Sequence, residues 1–312
     1  MKRQTLDRAE RTDGERLQAP IARPRTTPRR SRTRLGCLLF TLLLALAVGA
    51  TILIAWRDTY RPALRTVHVG VPGLSRTYRI LQVSDLHGSE FGEGQSRLDA
   101  LVGDHRYDAV VFTGDMVAVR FADPEPAVET ARVLSDAGPT FFVAGNHDDP
   151  GVAPLLERAG VTDLDAARSE RLTDSSGALV LCTVGGAASA RRVAGDVVVV
   201  LAHVPLSEGQ LVALAGSPAR AALVLSGHTH AGTVRLPPIG AVFAPPVGDV
   251  SGWTRFPDLK GLHISGLRQR AGTQVFISPG LGPGTYGLVP SWWHYRLGAR
   301  AEIDEIVLEP AP

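Results

Sequence analysis

A chain of 312 residues that is 44% hydrophobic is long enough for one large domain with a buried core. Its formal net charge is only +2, but eleven Lys/Arg against four acids in residues 1–35 leave the remainder at −5. A mildly acidic globular part excludes general nucleic-acid binding, which needs a basic face, so no nucleic acid is expected as a partner.

Residues 1–34 are polar and rich in Arg and Pro, the composition of a disordered tail. Residues 35–56 carry no charge. As a helix they would span roughly 33 Å, enough for a bilayer core. Arg29, Arg30, Arg32 and Arg34 crowd the N-terminal side. The positive-inside rule then puts the tail in the cytoplasm and the rest of the chain outside. Trp56 and Tyr60 suit an interfacial anchor at the exit. The alternative is a cleaved signal peptide, whose apolar core is about 7–15 residues; the run here is longer. Cys37 precedes the apolar run, the wrong order for a lipoprotein cleavage site, and a bridge to Cys182 would join a membrane boundary to a domain interior. Residues 57–65 read as a linker and 66–312 as one domain.

Within that domain, residues 66–69 alternate like a strand, Pro72-Gly73 turns, and 77–83 resumes, predicting a hairpin. Five apolar runs then end in polar residues. Residues 80–83 lead to Asp85-Leu86-His87, 109–112 to Gly114-Asp115, and 141–143 to Gly145-Asn146-His147-Asp148. Residues 197–201 lead to His203, and 222–225 to Gly227-His228-Thr229-His230. Helical patterns over 96–105, 125–137 and 150–159 alternate with these strands, which predicts an α/β core. Between 179–183 and 197–201 there is only a short Gly/Ala/Arg segment. After Thr233, strands are expected at 234–236, 242–243, 261–264, 274–277 and 303–308. A strand that delivers a polar residue at its C-terminal end is how open α/β sheets build an active site.

Carboxylates, an amide oxygen and several imidazoles suit divalent transition metals; calcium and magnesium favour oxygen cages. Asp85 and His87, like His228 and His230, are two apart, so both side chains of each pair leave an extended strand end on one side. Singly, these motifs are weak: Gly-Asp is usually a turn, and a lone His203 is more often a core residue than a ligand. Five in order are specific. His68, His105, His263 and His294 fall outside them and read as structural or exposed. Trp292-Trp293-His294-Tyr295 is either a packing cluster or a lipid-facing rim.

The order D-x-H, G-D, G-N-H-D, H, G-H-x-H resembles the calcineurin-like metallophosphoesterases. Ser84-Asp85-Leu86-His87 and residues 225–238 look like their membrane-associated bacterial branch, and the resemblance covers residues 77–308. It implies an α/β fold, a two-sheet sandwich flanked by helices, here preceded by one transmembrane helix. It also implies two divalent metal ions (Mn, Fe, Zn or Co), bridged by Asp115. Asp85, His87 and His230 would complete one site, and Asn146, His203 and His228 the other. His147 would be a non-ligand that stabilises the phosphoryl oxygens or protonates the leaving alkoxide, with Asp148 orienting its ring. Two ions about 3.5–4 Å apart activate a water and clamp an in-line displacement. The expected function is hydrolysis of a phosphomonoester, phosphodiester or pyrophosphate, with small-molecule, lipid-linked or envelope-polymer substrates met outside the cytoplasm. Residues 114–120 lack the Asp-Arg-Gly continuation of protein phosphatases. The alternative from another class is a membrane-anchored, metal-containing scaffold without turnover.

Overall fold

The computed structural model describes residues 30–118, 123–175, 177–190, 192–284 and 294–311. Of the disordered tail expected over residues 1–34, residues 1–29 lie outside the described residues, as does the Trp292-Trp293 pair, while residues 30–34 are instead the start of a helix. The chain forms two compact units, residues 1–47 and residues 48–312. In the first, residues 30–47 are helical and, from Arg34, exposed.

That helix, α1 (Arg30–Tyr60), is continuous, and its stretch Arg34–Tyr60 is long and apolar enough to cross a membrane. At 1.5 Å per residue this stretch is ~40 Å long. It does not stop at Trp56. Asp58 and Thr59 are buried, and β1 (Ala63–Pro72) begins three residues after Tyr60. The linker expected over 57–65 is therefore replaced by a helix end, a short turn and the first residues of a strand. The cause is hydrogen bonding: the Gly298 N–H donates to Asp58 Oδ2 at 2.8 Å and the Arg296 N–H to Thr59 Oγ1 at 2.9 Å. The Ala301 N–H donates to the Asp58 carbonyl at 2.8 Å.

Two six-stranded sheets follow. The first holds β1, β2 (Tyr78–Val83), β3 (Ala109–Phe112), β4 (Thr140–Phe142) and β5 (Val161–Asp163). The second begins with β6 (Ser169–Asp174), β7 (Gly177–Thr183), β8 (Val197–Leu201) and β9 (Leu223–Ser226). Two small hairpins come next, β10 (Arg235–Leu236) with β11 (Gly240–Ala241), and β12 (Phe243–Ala244) with β13 (Thr254–Arg255). Strands β14 (Gly266–Arg270) and β15 (Thr273–Ile277) complete the second sheet, and β16 (Glu302–Ala311) returns to the first. The sheet orders are β1-β16-β2-β3-β4-β5 and β14-β15-β9-β8-β7-β6.

This order corrects the expected hairpin of residues 66–83. Strand β16 lies between β1 and β2, parallel to the first and antiparallel to the second. Ile303–Leu308 are buried in an unbroken run, the pattern of an interior strand covered on both faces, and β16 pairs along both edges and so separates the two strands adjacent in sequence. Residues 261–264 are not a strand either. They follow a 3₁₀ turn (Asp258–Lys260), and Ile264 packs with Ala241, Ala244 and Val247.

Alternation along the strands divides the core. Ile80, Ala109, Val111 and Phe141 from the first sheet meet Leu181, Val199, Leu201, Leu225 and Phe276 from the second, filling the sandwich. Leu81, Val110, Phe112 and Phe142 point outward under α2 (Ser96–Val102), α3 (Glu125–Ser135) and α4 (Val152–Arg158). On the far face Val198, Val200 and Val224 are covered by Leu211 and Leu214 of a later helix, Glu208–Ala215. That helix carries a Ser207/Gln210 capping box. The fold is the helix-flanked, two-sheet α/β sandwich.

Candidate metal centre

All five polar segments leave the C-terminal ends of parallel strands: β2, β3 and β4 in one sheet, β8 and β9 in the other. The pairing continues past the strand ends. The Asp85 N–H donates to the Gly114 carbonyl, His87 N–H to the Asp115 carbonyl, and Gly227 N–H to the His203 carbonyl. These turns are sharp. Asp85, His87, Asp115, His228 and His230 all adopt positive φ, between 47° and 71°. Such a backbone costs a non-glycine residue about 1–3 kcal/mol and tends to collect at functional sites. Glycine is required where loops meet: a Cβ on Gly145 would overlap the Asp115 carboxylate, and one on Gly227 would overlap Ser84 Oγ and Asp85 Oδ2.

The result is two groups of donor atoms, Asp85/His87/His230 and Asp115/His203/His228, each with ligand atoms within 4.8 Å of one another. Asp115 lies between them. Its Oδ2 is 3.1 Å from His203 Nε2 and 3.5 Å from His87 Nε2, while its Oδ1 accepts the His147 N–H at 2.8 Å. Asn146 Oδ1 is 3.2 Å from His203 Nε2 and so joins the second group. Asp85 is held by the Ser84 hydroxyl at 2.6 Å and by the His228 N–H, which donates to both carboxylate oxygens at 3.0 Å.

Three imidazoles are oriented from behind by backbone carbonyls. His203 Nδ1 donates to Thr113 O (2.8 Å), His230 Nδ1 to Gly282 O (3.2 Å) and His228 Nε2 to Pro246 O (3.1 Å). A proton fixed on one ring nitrogen leaves a lone pair on the other, the arrangement that a metal-ligating histidine needs. His230 Nε2 then faces His87 Nε2 at 3.1 Å, and His203 Nε2 faces the oxygens of Asn146 and Asp115. Lone pairs converging in this way call for cations among them. The donor set fits two divalent ions.

Electrostatics agree. Burial pushes His87 down to about 3 and His228 to about 4, and takes His230 well below its ordinary value, so all three are neutral donors near pH 7. Burial raises the Asp85 carboxyl to about 6. Burial also works against charge on Asp115 and His203, and is the largest single influence on each, but their mutual hydrogen bond together with the opposite charges around them outweighs it. Asp115 is held below the usual carboxylate range and His203 is raised to about 9. A proton on His203 supplies positive charge that a bound ion supplies more fully.

His147 stands beside the donors as a partly exposed ring, edge to face with His87. Asp148 does something other than orient that ring. Its oxygens accept the N–H groups of Met116 (2.8 Å), Val117 (3.1 Å) and Gly145 (2.9 Å), tying the loop after β3 to the loop after β4. These bonds join the Asp115 and Asn146 loops. His68 and His105 lie outside the cleft, while His263 is buried with Nε2 bonded to the Gly266 carbonyl.

The cleft, about 290 Å³, is lined by His87, Asp115, Asn146, His147, His228 and His230 on one side. Pro245, Pro246 and Trp253 form an apolar wall on another. Sequence reasoning missed that wall, which sits in an irregular segment without a motif. It also missed the carbonyl partners, which no side-chain pattern reports.

Residues 78–232, the stretch that contains every one of these donors, match the family described as calcineurin-like phosphoesterase. An uncharacterized metallophosphoesterase of Bacillus subtilis is 24% identical over 66% of this chain and 72% of its own length. A bovine transmembrane protein with metallophosphoesterase domain is 27% identical over 80% of this chain. The chain spans only 58% of that relative's length. The crystal structure of phosphopantetheinyl hydrolase from Mycobacterium tuberculosis aligns with a TM-score of 0.36 at 11% identity, over 64% of this chain and 89% of that one, too loosely to carry an argument.

Proposed function

The chain belongs to the calcineurin-like metallophosphoesterases, and on that premise we propose that it hydrolyses a lipid-linked or envelope phosphoester at the outer face of a membrane. The enzyme class is phosphoester hydrolase, and the family uses a dinuclear divalent metal centre. The observation that carries the ligand assignment is the position of Asp115 Oδ2 between His87 of one group and His203 of the other.

In this reading Asp85, His87 and His230 hold one ion, and Asn146, His203 and His228 the other, with Asp115 shared. Two ions there supply water activation and neutralise charge on the phosphoryl oxygens. The chain's own residues do the rest. Asn146 contributes a neutral oxygen and so limits negative charge facing an anionic substrate. His147, beside His87 at the cleft, donates a hydrogen bond to the phosphoryl oxygens or a proton to the leaving alkoxide. Trp253, Pro245 and Pro246 offer apolar surface next to the phosphate position, which favours a substrate with a lipid portion.

The location rests on α1. Its apolar stretch follows arginines at the N-terminal side, which favours a cytoplasmic N-terminus and an extracytoplasmic domain. Residues 48–60 belong to the same compact unit as the cleft. The test is a phosphoester panel on the full chain in nanodiscs, together with a reporter fused after Pro312. Faster cleavage of polyprenyl or acyl phosphates than of water-soluble esters, and a reporter active only outside the cytoplasm, are expected. A cytoplasmic C-terminus would overturn the location and the envelope substrate together.

A further inference from the structure

Arg296 is the largest side chain in the described residues that is fully buried, at 0% exposure. A buried guanidinium persists only where its donors are satisfied. Here Nε donates to Ala299 O (2.6 Å), Nη1 to Gly282 O (2.5 Å), and Nη2 to Pro279 O (2.7 Å) and His230 O (3.3 Å).

Two of these carbonyls belong to the metal centre's own support. Gly282 O is the acceptor that fixes the His230 ring through Nδ1, and His230 is the residue whose backbone Arg296 also holds. The strip from Pro279 to Gly284 packs against the same donor group. Leu281 N–H and Gly282 N–H donate to Ser84 O and Asp85 O, and a Cβ on Gly280 would lie 2.7 Å from Asp85 Cβ. One on Gly284 would lie 3.1 Å from His230 Nε2. Arg296 therefore clamps the strip and the His230 turn with one planar fork, a geometry that Lys cannot reproduce.

Arg296 is in turn held by the end of α1. Its own N–H donates to Thr59 Oγ1, and Asp58 binds Gly298 and Ala301 on the same segment. A short chain of contacts thus runs from the last turn of the apolar helix to one group of donors.

We infer that Arg296 is a positioning residue for the Asp85/His87/His230 group, and that the last turn of α1 is part of that group's support. The inference rests on the metal-centre reading above. It makes the helix more than an anchor: docking of Asp58 and Thr59 completes one of the two ion sites. The other group has supports of its own, the Thr113 and Pro246 carbonyls behind His203 and His228 and the Asp148 carboxylate beside Asp115.

The experiment titrates the full chain in detergent with Mn²⁺, reading stoichiometry by elemental analysis and ion–ion coupling by electron paramagnetic resonance. The wild-type chain is expected to bind two ions that give a spin-coupled signal. Arg296→Met and Arg296→Lys should weaken one ion on the order of 10–100-fold, leaving the other and converting the coupled signal to that of an isolated ion. Thr59→Val should shift the same ion in the same direction, and Thr59→Ser should restore it. The Thr59 pair decides the matter should the Arg296 variants fail to fold. Two ions at native affinity with an unchanged coupled signal in Thr59→Val would overturn the inference, as would equal weakening of both ions. A wild-type chain that takes up no ion would instead refute the metal-centre reading, and this inference with it.

Discussion

The rings of His87 and His147 meet edge to face, with centroids 5.0 Å apart. One is buried among the donors of the metal centre, and the other stands half-exposed on the cleft wall, its backbone N–H bonded to Asp115. In the proposed assignment the first of these rings binds an ion and the second does not. His147→Ala should retain both ions and lose rate by about 10²–10⁴-fold. The loss should shrink with good leaving groups if the ring donates a proton. A uniform loss would indicate stabilisation of phosphoryl oxygens, and loss of an ion would move His147 into the ligand set.

Gly227 permits the turn after β9 to press against the Asp85 carboxylate. In Gly227→Ala the new methyl group meets Ser84 Oγ and Asp85 Oδ2. Affinity for one ion should fall at least about tenfold, read by calorimetric titration. Adding Ser84→Ala removes one of the two overlaps and should recover part of the loss. Native affinity in the single variant would mean that the strand ends are not packed this tightly.

Asp304, near the start of β16, predicts a pH dependence that is independent of the ions. Burial raises its carboxyl to about 7, although the Ser278 hydroxyl donates to it at 2.6 Å. Its folded pKa thus lies above its unfolded value, so the folded chain binds the extra proton between about pH 4 and pH 7. This contribution to stability is present at low pH and lost as pH rises through 7. In melting curves of the metal-free chain, Asp304→Asn should gain on the wild-type protein between pH 4 and pH 8. Parallel curves across that range would contradict the assignment.

What the sequence disclosed was local. Each of the five apolar runs ends within a few residues of its polar group, so period and composition suffice to place Asp85, His203 and His230 at strand ends. The hairpin over 66–83 failed because β16 is recruited from the far end of the chain, and no local pattern reports a long-range insertion. The fixed junction at Asp58 and Thr59 was hidden for a similar reason: a polar pair after an apolar run looks like a linker until its backbone donors at Arg296, Gly298 and Ala301 are seen. Asp148 misled differently. Adjacency to His147 suggested a ring partner, whereas the turn aims its carboxylate at three backbone N–H groups.

Asp115 Oδ2 faces both donor groups, so the shared centre depends on this one side chain. The most direct measurement is ions bound per chain, by elemental analysis, for the wild-type protein and Asp115→Ala, with phosphoester hydrolysis recorded on the same samples. Two ions per wild-type chain are expected, with both lost and hydrolysis abolished in the variant. An Asp115→Ala chain that still holds two ions tightly and turns over at a near-native rate would contradict the shared-ligand centre.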